Sequence, residues 1–584
     1  GVTKPRFSKL GGEFYFPVAL NRARDDGRYY MLQARLKPGV TLAQAEAEFR
    51  GIAARVSKLY PERYPERFTV SVVSLLDSTI GRFRANLYIM AAAVALLLLI
   101  ACSNVANLLL ARATTREREM ALRSSLGATR VRLVRQLLVE SLLLALLGAL
   151  LGAGLAELGI NTIVSMIPPV GLIPGEAVIR LNLPVLAFSL ALTVATALLF
   201  GLVPALRTAP RDLASPLKMS AKGGGSSNVS ARLSGVLVAA QVALSLVLLA
   251  GAGLLIRTFV KLQTADLGQN VENVLHARLA LPKDRYTTAE SRRQFFDDAI
   301  TRVEAMQGVT AATITTSLPP FGGIRTRFDI PGDATAERRD GIVTLMSAGY
   351  FRTMERTLVR GRALTAADVT ITFEVVGVAN DAVNQGVRDP VVPEAFIPHT
   401  VTAAFPTRGL LVRTSGAPAG LLDTLRRVIW SVDRNVPLTD TITLTDFLSS
   451  SLASQRLSLL VLALFAGVAL ALVVMGVFSL LAYVVSQRTQ EIGVRVALGA
   501  EQSHIVRMVV VMGAKMIGAG VLLGGFASFF ATRVLSDQLF GVEPHDPLTF
   551  GIVVTLLVSS GLAACLVPAR RAARVEPVAA LRNE

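Results

Sequence analysis

The sequence predicts an α-helical transmembrane protein with seven spans in two parallel repeats and mixed α/β domains outside the membrane. Three observations lead there. Seven apolar stretches are each long enough to cross a hydrocarbon core, Lys and Arg are divided unevenly between the loops joining them, and one charged decapeptide occurs twice. The 584 residues are 52% hydrophobic, yet Lys plus Arg (60) exceed Asp plus Glu (42), for a net charge of +18. High apolar content with a basic excess is the composition of a membrane protein whose Arg-rich loops stay on one side.

A span needs roughly 20 apolar residues. The stretches that satisfy this run from about Leu87 to Ala111, Leu137 to Ile160, Val185 to Leu206, Leu233 to Ile256, Leu457 to Val485, Val506 to Phe530 and Leu548 to Ala569. Helices of soluble cores are shorter and carry a polar stripe, which these mostly lack. Loop charge then sets the orientation, because short translocated loops resist Lys and Arg. The loop after the first span holds Arg112, Arg116, Arg118, Arg123, Arg130, Arg132 and Arg135, whereas residues 161–184 hold Arg180 alone. The first of these is expected to be cytoplasmic, as are the linker with Arg207, Arg211, Lys218, Lys222 and Arg232 and the tail with Arg570, Arg571, Arg574 and Arg582. Residues 1–85 and 262–455 then lie outside. Their own basic residues are compatible with this, since long domains translocate largely regardless of charge.

The repeat fixes the organisation. "EMALRSSLGA" at 119–128 returns as "EIGVRVALGA" at 491–500, an offset of 491 − 119 = 372. At that offset Arg116, Glu119, Arg123, Leu126, Gly127, Ala128 and Arg135 meet Arg488, Glu491, Arg495, Leu498, Gly499, Ala500 and Arg507. Farther on, "LVPALRTAPRDLASPLK" from 202 meets "LVPARRAARVEPVAALR" from 566 at 566 − 202 = 364. So long a period means a duplicated module. The second copy, from about 232, has one span, an outside domain and three further spans. An even number of spans returns the chain to its starting side, which makes the halves parallel about an axis along the membrane normal. The corresponding first span of copy one falls at 232 − 372 = −140, so an incomplete N-terminus is expected.

The domain reading follows: residues 1–85 external, 86–207 three spans, 208–231 a cytoplasmic linker around "KGGGSSN", 232–260 one span, 261–455 a second external domain, 456–570 three spans and 571–584 a tail. In the first external piece, residues 29–62 read as a strand, a Lys-Pro-Gly turn and a helix capped by Thr41. Residues 409–437 repeat that order of strand, Gly turn and helix.

The decapeptide reads as a short helix at the cytoplasmic surface, stopped by a glycine at the position after the cap. Arg116, Glu119 and Arg123 have helical spacing, and Met120, Leu122 and Leu126 are available to face the membrane or the bundle. Either an interfacial helix held by anionic lipid or a docking element for a partner fits one copy. Two copies at equivalent turns favour docking. Cys102 and Cys565 fall in spans and read as packing residues, and the four histidines have no ligand spacing. No cofactor, metal site, catalytic constellation or nucleic-acid partner is expected. A phosphate loop would need Gly-Lys-Ser/Thr, which does not occur in the sequence. Glu140, Glu157 and Lys515 are ionisable groups within spans, read as snorkelling from near the span ends. Asn104 and Asn107 read as interhelical hydrogen-bonding groups.

"NVANLLLARATTREREMALRSSLGATR", "VAAQVALSLVLLAGAGLLIRTF", "GYFRTMERTLVRGRALTAAD", "QRTQEIGVRVALGA" and "PARRAARVEPVAALR" together resemble the FtsX/MacB-type ABC transporter permeases, and the duplicated layout resembles the orphan permeases with two modules in one chain. The resemblance implies two parallel permease repeats, extracytoplasmic α/β MacB-like domains, location in the cell inner membrane, a separate ABC ATPase subunit at the cytoplasmic face, contact with membrane lipids and a periplasmic partner. It implies that Glu119, Arg123, Gly127 and Ala128 make one ATPase contact and that Glu491, Gly493, Arg495, Gly499 and Ala500 make the other. One departure is a short segment after "GRALTAAD", where "DVTITFEVVGVAND" follows almost at once. Two other classes compete. A secondary transporter predicts inverted repeats and midplane charges, which the sequence lacks, and a membrane-anchored ligand sensor predicts a binding external domain.

Overall fold

The computed structural model describes residues 32–61, 70–115, 123, 129–165, 179–208, 225–282, 284–328, 339–365, 368, 375–400 and 407–574. Most of the linker at 208–231 lies outside these, as does the whole of 369–374.

The first element is α1 (Leu42–Leu59), opened as expected by Thr41, which forms a reciprocal capping box with Gln44. The strand expected before it is not formed over residues 32–37. A strand needs a ladder partner, and the described residues offer none there.

Long apolar helices follow: α2 (Leu75–Thr115), α3 (Arg130–Ser165), α4 (Leu183–Thr208) and α5 (Gly225–Gln263). After the external domain come α10 (Ala453–Gln487), the short α11 (Thr489–Ala497), α12 (Gln502–Ala531) and α13 (Pro547–Ala573). Six of these are long and apolar enough to span a membrane; the seventh expected span is α4, whose stretch Leu183–Leu198 is apolar. Helices α5, α10, α12 and α13 form one bundle, α2 packs on α10 and α5, and α3 packs chiefly on α4, which also touches α2. The core holds fully buried Val242, Leu246, Ala469, Leu557 and Cys565. Leu464, Phe526 and Ile552 are exposed on the outside, the distribution of a bundle whose second solvent is lipid.

Helices α12 and α5 approach each other closely. A Cβ at Gly520 would lie 2.6 Å from Val242 Cβ, and one at Gly524 would lie 2.8 Å from Ala243 Cα. Bare glycine faces allow that separation, which replaces hydrophobic driving force with dense packing. On the other flank, Asn104 of α2 donates from Nδ2 to the Leu472 carbonyl of α10 (2.9 Å), and Gln241 of α5 donates to the same oxygen (2.6 Å). Adding the repeat offset, 104 + 372 = 476, and Gly476 is the residue that Asn104 faces: a Cβ there would lie 2.7 Å from Asn104 Oδ1. Equivalent positions of the two repeats thus meet face to face, as a parallel pair about a common axis requires. Lys515 departs from the expectation: it lies 13 positions after Gln502, well inside α12, on an exposed face.

The external domain carries β1 (Val274–Ala280), α6 (Ala289–Glu304), β2 (Val309–Thr315), β3 (Ile324–Phe328), β4 (Arg339–Met346), α7 (Tyr350–Thr353), β5 (Leu358–Gly361), β6 (Gly377–Ala379), β7 (Glu394–Pro398), β8 (Thr407–Thr414), α8 (Leu422–Val432), β9 (Leu438–Thr443) and α9 (Leu444–Ser451). The main sheet runs β3-β4-β2-β8-β1-β9, with β7 parallel to β4, and β5 pairs with β6 separately. The strand, Gly turn and helix expected over 409–437 are β8 and α8. Helices α6 and α8 cover one face of the sheet through Phe295, Phe296, Ala299, Leu425 and Ile429.

The other face is sealed partly by the membrane helices themselves. Leu262, at the end of α5, is 2% exposed and packs with Val274, Met346, Tyr350 and Leu411 of the external domain. Arg388 donates to Gln538 just after α12, to its side chain at 3.3 Å and its carbonyl at 3.2 Å, while Lys261 donates to the Gly541 carbonyl. Arg257 pairs with Asp546, the residue that caps α13 through Thr549. External domain and bundle are therefore joined at several points.

Candidate coupling site

Helix α10 ends at Gln487, and Arg488 bridges directly into α11. The order of residues along α11 dictates two faces. Ile492 is 1% exposed and belongs to the bundle core, Gly493 is buried beside it, and Val496 packs against the same core. Glu491, Val494, Arg495 and Leu498 face outward, with Leu498 83% exposed.

Glu491 lies in the first turn and Arg495 in the last, each at the helix end whose partial charge it complements. They pair at 2.6 Å with spacing i, i+4 and are about half exposed. Such a pair stabilises by only about 0.3–0.5 kcal/mol, so it sets the charge pattern of the face more than its stability. Arg495 also reaches α12, with Nη1 3.1 Å from Met508 Sδ.

The helix is stopped by hydrogen bonding of its last carbonyls. Gly499 has φ 89°, its N–H donates to the Val496 carbonyl (3.0 Å), and the Ala500 N–H donates to the Arg495 carbonyl (2.9 Å). That is the two-bond Schellman closure, which glycine adopts without Cβ strain. Glu501 then begins α12. All five second-copy residues, Glu491, Gly493, Arg495, Gly499 and Ala500, are thus collected in one turn of chain: two make its outer charged pair, one its buried face and two its stop.

In the first copy, Glu119, Gly127 and Ala128 lie outside the described residues. Arg123 is described: it is helical and half-buried, and its Nη1 donates to Gln136 Oε1 at 3.2 Å. Since 123 + 372 = 495 and 136 + 372 = 508, this contact reproduces Arg495 to Met508. The same arginine of each repeat reaches the same position of the following span.

Met120, Leu122 and Leu126 lie outside the described residues, and in the second copy the equivalent positions divide between the bundle and the outer surface. The counterparts of Met120, Leu122 and Leu126 are Ile492, Val494 and Leu498, and Ile492 alone of these enters the bundle. Val494 and Leu498 stand outward near the ion pair, four residues apart, so the exposed surface mixes charge with apolar area. Among the described residues no group of three His, Cys, Asp or Glu side chains could hold a metal ion.

These features define a polytopic membrane protein built on two related helical modules. Both modules, residues 91–212 and 463–577, match the family described as FtsX-like permease C-terminal. The two matches begin 463 − 91 = 372 residues apart, the offset already seen in the decapeptides. Such permease domains are not themselves catalytic. Among curated proteins, the chain is 36% identical over 134 residues to the probable syringafactin export ATP-binding/permease protein SyfD of Pseudomonas syringae pv. syringae, covering 22% of this chain and 20% of that one. It is 35% identical over 111 residues to the macrolide export ATP-binding/permease protein MacB 2 of Aeromonas hydrophila subsp. hydrophila, covering 19% and 17%. To the macrolide export ATP-binding/permease protein MacB of Campylobacter jejuni subsp. jejuni it is 25% identical over 222 residues, covering 36% and 34%. The chain spans between 17% and 34% of the length of these relatives and is distantly homologous to MacB-type ABC permeases.

Proposed function

We propose that this chain is the membrane subunit of an ABC machine of the inner membrane, in which a separate ATPase binds α11 and its first-repeat counterpart and drives movement of the external domain. The observation that carries this is the recurrence, at one offset, of an arginine that reaches from the connecting segment to the same position of the next span. A lipid-anchored surface helix needs only basic residues and an apolar underside. Here the outer surface instead presents Glu491, Arg495, Val494 and Leu498, the mixed charged and apolar character of a protein contact. Glu119, Arg123, Gly127 and Ala128 form the first contact segment, and Glu491, Arg495, Gly499 and Ala500 the second, with Gly493 packing the underside of that segment against the bundle. The duplication supplies both halves of a paired permease in one chain. Packing of Leu262 inside the external domain supports transmission of movement across the membrane, toward export or toward an envelope partner.

The test is co-expression of the tagged chain with the ABC ATPase subunits of its own genome, measuring ATPase recovered per chain. Leu498→Asp together with Glu491→Arg should reduce recovery at least about tenfold, the effect of losing a small hot spot, and leave thermal unfolding unchanged. Recovery equal to that of the wild type from this variant, and from one also carrying Glu119→Arg, would remove both segments from the contact.

A further inference from the structure

One face of the main sheet changes character along its length. On β1, Val274 packs with Leu262, Met346 and Leu411, and His276 and Arg278 follow it at intervals of two, so they share its face. Register sets Arg278 opposite Gly409 of β8, and Gly409 opposite Thr315 of β2, in one row across three strands. The middle strand gives that row no side chain. The His276 ring lies over the gap: a Cβ at Gly409 would be 3.0 Å from its Nε2. Around this row is a cavity of about 300 Å³, bordered by Leu318 and Ile324 as well as by the polar groups. That is room for a small molecule.

Buried polar groups distinguish the hollow from a wetted surface. His276, Thr315 and Ser317 are 5%, 0% and 2% exposed, and each is fixed. His276 Nδ1 donates to the Asp440 carbonyl at 3.1 Å, and the Ser317 N–H donates to Thr315 Oγ1 at 3.0 Å. The Thr316 hydroxyl oxygen accepts from the Leu345 N–H at 3.0 Å, which leaves its own proton to be donated. Arg278 pairs with Asp440 through Nη1 at 2.8 Å, both side chains being about half exposed, and the rest of its planar fork remains to be shared. Thr407 borders the same cavity and is exposed. Arg408 borders it too, although alternation with Leu410 and Val412 sets its side chain toward α6. Among the described residues no Asp or Glu borders the cavity.

We propose that this hollow binds a small organic carboxylate, free or at the end of a peptide, with its charge on Arg278 and the Thr316 and Thr407 hydroxyls and its aliphatic part against Leu318 and Ile324. A guanidinium fork matches the two oxygens of a carboxylate. One guanidinium already paired with Asp440 suits a single negative charge, whereas a doubly charged phosphate would meet that neighbouring carboxylate with charge to spare. Gly409 is what keeps the row open, since any larger residue would drive into the His276 ring.

The probe is N-acetyl-leucine, titrated by calorimetry into the full chain in phosphatidylcholine nanodiscs. It should bind saturably, and its amide, with the same shape and no charge, should bind at least about tenfold more weakly, the loss of a hydrogen bond to a charged group. Arg278→Gln and Thr407→Glu, both at exposed positions, should each weaken the acid by a similar factor and leave thermal unfolding unchanged. Gly-Gly-Leu is the second arm. Binding as tight as that of the acid, or tighter, supports the proposal with peptide ends as the source, and weaker binding supports it with free acids as the source. No saturable binding of either, an amide or inorganic phosphate that binds as tightly as the acid, or acid binding unchanged by both variants overturns it. None of these readouts involves the ATPase, so the coupling proposal stands or falls separately.

Discussion

Asp546 caps α13 and holds α5 to it, so two substitutions separate those roles. The carboxylate accepts from the Thr549 N–H (2.8 Å) and the Thr549 hydroxyl (2.6 Å), and it pairs with Arg257. The side chains of Asp546 and Arg257 are 16% and 32% exposed. Asp546→Ala removes the cap, worth about 1 kcal/mol, and the charge-assisted contact, worth about another 1 kcal/mol in a half-shielded setting. Asp546→Asn keeps an acceptor for the cap and loses only the charge, so its cost should be about half. The Thr549 hydroxyl and N–H, together with Arg257, hold the Asp546 carboxyl below the ordinary aspartate value. A depressed carboxylate contributes stability that is present above the ordinary value, near 3.9, and is lost as pH falls through the depressed one. The gap between wild type and Asp546→Asn should be constant from pH 5 to 7 and close below about pH 4, by thermal unfolding in detergent. A gap that persists unchanged to pH 3, or an Asp546→Ala variant as stable as wild type, would refute the assignment.

Other outcomes follow from the same contacts. Gly499→Ala places a Cβ in the left-handed region at φ 89°, costing about 1–2 kcal/mol locally, and should loosen α11, seen as faster amide exchange at Gly499 and Ala500. Asn104→Leu removes one of two donors to the Leu472 carbonyl and should destabilise by about 0.6–1.7 kcal/mol, the range for hydrogen bonds between membrane helices, measured by denaturant titration in bicelles. Gly520→Ala forces a carbon to within 2.6 Å of Val242 and should cost about 1–3 kcal/mol, whereas Gly148→Ala, at a position where a Cβ would meet nothing within 4 Å, should be neutral in the same assay.

Local sequence carries what depends on local physics. Span length and loop charge place the membrane helices because a bilayer tests each segment by itself. Thr41 opens α1 through Gln44, three residues away, and the glycine stop of α11 is Gly499 itself. Over residues 32–37 the expected strand is not formed, for the complementary reason: pairing is a matter of tertiary structure, and local pattern is blind to it. The sheet order likewise depends on β8 entering between β1 and β2, from more than ninety residues away in sequence. The pairing of Asn104 with Gly476 was within reach of the sequence, since it obeys the offset of 372. It is easily missed, because an isolated small residue carries little weight until a structure shows what it faces.

Leu262 gives the molecule a mechanical property. Helix α5 has 39 residues from Gly225 to Gln263, a rod about 58 Å long at 1.5 Å per residue. Its far end is set into the external domain with no flexible joint between. For such a rod, tilting by about 5° at one end displaces the other by roughly 5 Å, close to one helical pitch. In the function proposed above, a small angular change at one membrane surface would become a displacement of side-chain size beyond the other.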